Sequence, residues 1–352
     1  MQGVIELKIC LAIVVVLLLV ASAQASTLNV CPLLGCKYTR IQAAVDAAKP
    51  GDTIIVAAGT YKETVTIPKS LTINGAGASK TIVDGNKKGS TFKILNKDKF
   101  NAKINVYLSG MLIRNGKASV GGGIMNGGRL YLSNCRIAGN SADYDGGGIY
   151  SEGTRFIPAI LRIANSTISG NTAMAGCGIY IGCNATITGS SISGNAENSA
   201  GKGMGGGIFN GGTIQVGTKN LIVTGGSITG NKAGYGAGIY SQNPVTLTDA
   251  DISSNTAIHG GGILNSNGDL LITGTTKISS NLAATGYGGG IYLTSGSMVF
   301  DGKNIAIKTN KAHLPNSEES WFKGWGVYLL TGTPTTKNGF NAKMQVNGNT
   351  HI

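Results

Sequence analysis

Two short motifs alternate along the chain at a nearly fixed spacing, and that spacing limits the possible folds more than any other feature. The first is a glycine-rich approach to a β-branched residue: GGGIM from Gly121, GGGIY from Gly146, GCGIY from Gly176, GGGIF from Gly205, GAGIY from Gly236, GGGIL from Gly260, GGGIY from Gly288 and GWGVY from Gly324. The second ends in asparagine, at Asn140, Asn171, Asn195, Asn231, Asn255, Asn281 and Asn310. The shortest step from a motif Ile to the next Asn is 16 residues (Ile179 to Asn195), and from Asn to the next Ile it is 8 (Asn171 to Ile179). One full repeat is therefore 16 + 8 = 24 residues, enough for three short strands and three turns. Such a unit is one coil of a parallel β-helix, in which successive coils stack about 4.8 Å apart. Longer coils are the same coil with insertions at two corners, among them Ala196 to Gly207 and Lys311 to Gly326.

Alternation between the motifs supplies a core. Leu130 and Leu132 precede Ile137, Leu161 and Ile163 precede Ile168, Ala185 and Ile187 precede Ile192, and Val245 and Leu247 precede Ile252, always at the same offsets. Stacked coil on coil, these become apolar columns, and each repeat is stable only against its neighbours. The asparagines are expected to form an amide ladder at one corner, with Asn itself tolerating a left-handed backbone. The glycines serve the other corner by allowing positive φ.

If each motif Ile points inward, the next residue points out. That column reads Met125, Tyr150, Tyr180, Phe209, Tyr240, Leu264, Tyr292 and Tyr328. Its aromatic members are candidate binding residues, because exposed rings in a row suit sugar rings or a partner protein. The insertion at Lys311 to Gly326 holds Trp321 and Trp325, with Glu318 and Glu319 nearby, and is a second candidate recognition element.

The N-terminus carries an address. Lys8, the apolar run Ile9 to Val20 and small-x-small sites ending at Ala23 and Ala25 read as a signal peptide over residues 1–25, shorter than a membrane span, with no membrane span expected after its cleavage. Residues 26–352 then form a single domain: a capping helix over 38–49 with Thr39 as its cap, less regular coils over 53–117, repeat coils over 118–328 and a C-terminal cap or tail over 329–352. The fold class is all-β, a right-handed parallel β-helix of about ten three-strand coils with an N-terminal capping helix. The net charge is +13, and Ser26 to Lys117 holds 14 basic against 5 acidic residues, a surface suited to acidic polysaccharide, anionic lipid or a charged cell wall. No nucleic-acid reader motif is present, so nucleic acid is not an expected partner. Of the cysteines left after cleavage, Cys31 and Cys36 flank Pro32 and Gly35 and are a disulfide candidate.

The segment IQAAVDAAKPGDTIIVAAGTYKETVTIPKSLTINGAG, from Ile41, resembles the opening of pectin-lyase-like right-handed β-helix proteins. The repeats resemble those of chlamydial polymorphic outer membrane proteins and archaeal adhesin-like surface proteins. The likeness runs from Tyr38 to about Tyr328 and implies a fold, since that scaffold carries lyases, hydrolases, esterases and adhesins alike.

Catalytic constellations of those enzymes are not found. Gly59, Tyr61 and Glu63 match a GxYxE opening of pectin esterases, without the later Asp-containing motifs. Arg155 and Arg162 flank Pro158 at the wrong spacing for a pectate lyase. The carboxylate pairs are Asp143 with Asp145, in a turn where they are a weak Ca²⁺ candidate, and Asp249 with Asp251, where Asp251 is expected to pair with Lys277. His259, His313 and His351 are isolated, and no other metal site and no cofactor is expected. The expected function is a secreted or cell-surface protein with a binding, adhesive or structural role towards polysaccharide or a cell-surface partner, with no catalytic residues assigned. The alternative is a polysaccharide-active enzyme, pectate-lyase-like or a glycoside hydrolase.

Overall fold

The computed structural model describes residues 25–33, 35–95, 104–154, 159–212, 219–302, 304–313, 326–329 and 335–337. The signal segment before Ala25, Trp321, Trp325 and His351 lie outside the described residues. The chain winds as a right-handed parallel β-helix of about ten turns with very little helix. Among the described residues three long parallel sheets run along its axis. The first has 12 strands, from Thr27–Val30 to Thr335–Lys337; the second has 10, from Gly59–Lys62 to Ala306–Lys308; the third has 10, from Val65–Ile67 to Val327–Leu329. We call them the long sheet, the isoleucine sheet and the ring sheet. Shorter fourth strands, such as Ser141–Asp145 and Thr172–Ala173, fill the corner between the isoleucine and ring sheets.

Like residues stack on like. In the ring sheet Ile124, Ile149, Ile179, Ile208, Ile239, Ile263, Ile291 and Val327 pair in one register. In the isoleucine sheet Ile137, Ile168, Ile192, Ile228, Ile252, Ile278 and Ile307 do the same. The long sheet sends Leu130, Leu161, Ala185, Leu221 and Val245 into the same core, all almost fully buried.

The asparagine ladder is continuous. Each Nδ2 donates to the Oδ1 of the next coil's Asn at 2.9 to 3.0 Å, from Asn140 through Asn171, Asn195, Asn231, Asn255 and Asn281 to Asn310. The same Oδ1 also accepts the backbone N–H of the Asn before it, and Nδ2 also donates to a carbonyl, as from Asn231 to Ile192 at 3.0 Å. The left-handed residue, however, is the one before each Asn: Gly139, Gly170, Gly194 and Gly230 in four coils, then Ser254, Ser280 and Thr309, with φ between 55° and 65°. The asparagine keeps an ordinary backbone because its side chain holds the rung.

The two motifs also share one corner. A Cβ on the last glycine of the approach would come within 2.9 to 3.1 Å of an Asn Nδ2, as at Gly148 against Asn171 and Gly290 against Asn310. Each glycine seats its coil against the ladder.

Helix α1 spans Ile41–Ala47, buries Ile41, Ala44 and Val45, and packs against Thr27–Val30, Thr53–Val56 and Val65–Ile67. Thr39 does not cap it. Arg40 occupies that position without a side-chain bond, and the Glu63 carboxylate accepts from Ile41 N at 2.8 Å and Gln42 N at 3.0 Å. Tyr61 donates its hydroxyl to Ala57 O at 3.0 Å. The Gly59–Glu63 segment is thus occupied with holding the helix to the first coil. Cys31 and Cys36 form a disulfide with Cα atoms 5.5 Å apart. Cys135, Cys177 and Cys183 are free and buried, and burial lifts their thiols to about 11, 12 and 11, so they stay protonated at neutral pH.

Candidate functional site

The glycine approach folds the chain back on itself. The left-handed glycine that opens it would, with a Cβ, strike the strand it leads into, as Gly146 would strike Tyr150 Cα at 2.7 Å. The residue four before each motif Ile is therefore carried beside the residue one after it. A second outward column results, joined by parallel bridges: Val120, Asp145, Ala175, Met204, Tyr235 and His259. It flanks the ring column and partly roofs it. Tyr180 and Phe209 point outward as alternation requires, yet are only 5% and 6% exposed, packed with Ala175, Met204, Tyr150 and Tyr240.

The ring column is split. Tyr150, Tyr180, Phe209 and Tyr240 form an offset stack with centroids 4.9, 4.9 and 5.3 Å apart. Leu264 interrupts it. Beyond lies a second group in which Tyr292 and Tyr328, 5.4 Å apart, join Tyr287 and His259. His259 accepts Tyr287 N–H at Nδ1, 3.2 Å away, and burial lowers its basicity.

Charge breaks the pattern in one coil. Among the described residues Asp145 is the only carboxylate in its column, and Glu152, three residues after Ile149, occupies a column otherwise filled by Gly127, Gly182, Gly211, Gln242, Ser266 and Thr294. The structure brings these two acids together around Tyr150. Tyr150 donates its hydroxyl to Glu152. Burial, and then the Glu152 charge, pushes the Asp145 carboxyl up to about 6, and burial together with both acids raises the Tyr150 and Tyr180 phenols. Lys219 closes the group. It is only 7% exposed, donates to Gly211 O at 3.4 Å, and shares space with Glu152. A Cβ on Gly212 would lie 2.8 Å from Lys219 Nζ and 2.9 Å from Glu152 Oε1, so only glycine leaves both side chains their position.

Of the two carboxylate pairs, one differs from the sequence expectation and one keeps to it. Asp143 and Asp145 are in the strand Ser141–Asp145, where Asp143 is exposed; among the described residues no group of three or more His, Cys, Asp or Glu gathers as a cation site. Asp249 and Asp251 are not an acid–base pair. Asp249 accepts Thr275 N–H and Oγ1–H at 2.8 Å, which lowers its carboxyl, and Asp251 lies 3.9 Å from Lys277. Glu152 and Lys219 were missed at the level of sequence, although a lone charge in a column of small neutral residues was a readable signal.

No protein-family model and no curated protein sequence matches the chain. Solved structures do. Carrot pectin methylesterase is 13% identical over 89% of this chain and 90% of its own, with a TM-score of 0.42. The A-module of an Azotobacter vinelandii mannuronan C-5 epimerase is 16% identical over 84% and 93%, with a TM-score of 0.44. The Erwinia chrysanthemi pectin methylesterase is 14% identical over 94% of each chain, with a TM-score of 0.36. The chain belongs with these right-handed parallel β-helix proteins by fold. All three are named as enzymes, which runs against the non-catalytic binding or structural role expected from the missing motifs. The likeness itself extends to the fold alone.

Proposed function

We propose that the chain is an exported polysaccharide-active enzyme whose acid–base pair is Asp145 and Glu152. The observation that carries this reading is the convergence of two carboxyls in one coil, one of them lifted to about 6 by its surroundings. Two nearby acids in unlike environments are what proton transfer in both directions requires. A glycan strand lying along the ring-bearing corner would meet Tyr150 and Tyr240 at the two ends of the stack. In glycosidic cleavage, Asp145 donates its proton to the departing oxygen as the carbon–oxygen bond breaks. Glu152, positioned by the Tyr150 hydroxyl, takes a proton from the attacking water or from the sugar ring carbon. Lys219 offsets the negative charge gathered there. The basic surplus of Ser26 to Lys117 favours an acidic glycan. Export rests on the signal-like segment, and among the described residues no helix is long and apolar enough to cross a membrane.

The test is turnover on acidic and neutral polysaccharides, read both as new reducing ends and as ultraviolet absorbance of unsaturated products. Asp145→Asn and Glu152→Gln should each lower the rate by about 10²- to 10⁴-fold while the far-ultraviolet spectrum stays β-rich. Activity should fall as pH rises through about 6, where Asp145 loses its proton. Unchanged turnover in both folded variants would remove this pair from the mechanism.

A further inference from the structure

A different face of the solenoid carries a second arrangement of rings and charge. On the outer side of the long sheet, Tyr107, Tyr131, Arg162 and Thr186 occupy one column in successive coils. Tyr107 and Tyr131 stack with centroids 4.5 Å apart and planes 15° from parallel, and the Arg162 guanidinium lies over the Tyr131 ring, Cζ 5.8 Å from its centroid. Unlike Tyr180, Tyr107 is open, at 45% exposure. The column floors a groove of about 670 Å3, edged on one side by Asn74, Ser109, Ser133 and Thr188. No Asp or Glu lines this groove among the described residues. Outside the groove lining, Arg129 lies two residues before Tyr131 on the same face of the sheet, with its Nε buried without a hydrogen-bond partner.

We infer that this groove binds a strand of acidic polysaccharide, independently of the acids at Asp145 and Glu152. Tyr107, 45% exposed at the end of the stack, offers ring surface to the C–H face of a pyranose. The Arg162 guanidinium, with Cζ 5.8 Å from the Tyr131 centroid, presents N–H groups in a fork that fits a carboxylate in two bonds. Hydroxyls and an amide along one edge suit sugar hydroxyls. Four strands, three steps of about 4.8 Å, give a floor about 14 Å long, which suits a short oligomer over a single sugar. The ligand class is a polyuronate: rings for stacking, one carboxylate per unit, many hydroxyls.

The experiment is calorimetric titration of the full chain with a defined oligogalacturonate, with a neutral oligoglucoside and with a single-stranded oligonucleotide. Tyr131→Ala and Arg162→Gln should each weaken oligogalacturonate binding about tenfold. Tyr131→Phe should bind as the wild type, since it keeps the ring. Arg162→Lys should lose part of the affinity, since it keeps charge without the fork. The Asp145→Asn, Glu152→Gln double variant should retain tight binding at this groove, which separates the groove from the proposed catalysis. Oligogalacturonate affinity that is unchanged in folded Tyr131→Ala and Arg162→Gln would overturn the inference. So would a neutral sugar or an oligonucleotide that binds the groove as tightly.

Discussion

The asparagine column and the outward columns beside the ring sheet belong to the same coils and touch through the same glycines, yet they behave in opposite ways. Seven asparagines repeat one set of bonds with almost no variation in length. The column at Asp145 runs through valine, acid, alanine, methionine, tyrosine and histidine over a comparable length. Where every coil needs the same bond to stack on the next, the residue cannot change. Where the backbone already supplies the stacking, side chains are free to differ, and the chemistry collects there.

The sharpest way to break the comparison is to remove one rung. Asn231→Ala would strip partners from the Asn195 N–H and Nδ2, the Ile192 carbonyl and the Asn255 amide, all of them buried. Asn195 Nδ2 keeps the Ile168 carbonyl and Asn255 Oδ1 keeps the residue-231 N–H, so with about 1–3 kcal/mol for each group left unpaired the loss should be on the order of 3 kcal/mol, measured by urea unfolding. A loss under about 1 kcal/mol would mean the ladder decorates the corner without holding it. Ile192→Ala, a core truncation in the isoleucine sheet, should cost about 2–5 kcal/mol, whereas Thr167→Ala on the outer face should stay within about 0.5 kcal/mol.

A smaller and cleaner change separates the backbone of the ladder from its side chains. Ser254 adopts φ 59° where Gly230 adopts 64°, and a Cβ on Gly230 would meet nothing within 4 Å. Ser254→Gly should therefore stabilise by roughly 1 kcal/mol, and Gly230→Ser should destabilise by about as much, through left-handed backbone strain alone. Equal melting temperatures for both variants and the parent would place the strain elsewhere.

The outward column predicts a pH effect instead. Asp145 titrates at about 6 in the folded chain against 3.8 for a free side chain, so between those values the folded state holds more protons than the unfolded one. Its contribution to stability is complete below about pH 4 and is lost as pH rises to about 6, and Asp145→Asn should flatten that part of the stability curve. An unaltered slope in Asp145→Asn would show that other groups dominate this window.

The coil period, the inward columns and the asparagine ladder were legible in the sequence because each is repeated many times at one offset. The position of the left-handed residue was not, since glycine gives way to Ser254, Ser280 and Thr309 and the preference blurs. The candidate site was hidden for a different reason. Asp145 and Glu152 are 7 residues apart on opposite flanks of a glycine turn, and the fold-back of that turn brings both charges to act on the Tyr150 phenol, which bonds Glu152. Lys219 comes from two coils further on and has no local signal at all. Glu63, a recognisable motif residue that the missing later motifs already set aside as catalytic, has its carboxylate engaged by two helix N–H groups.

The amide ladder has a direction. Every rung gives its hydrogen to the following coil and receives one from the coil before, so the side-chain dipoles of Asn140 to Asn310 line up head to tail. Hydrogen bonds in such a series polarise one another, each strengthening the next. The row is an electrical analogue of an α-helix built wholly from side chains, with its oxygen end closed by the Gly116 N–H that Asn140 Oδ1 accepts at 2.9 Å. A break in the middle would leave two shorter, less polarised rows, so a central rung should matter more than a terminal one even though their local bonds are alike.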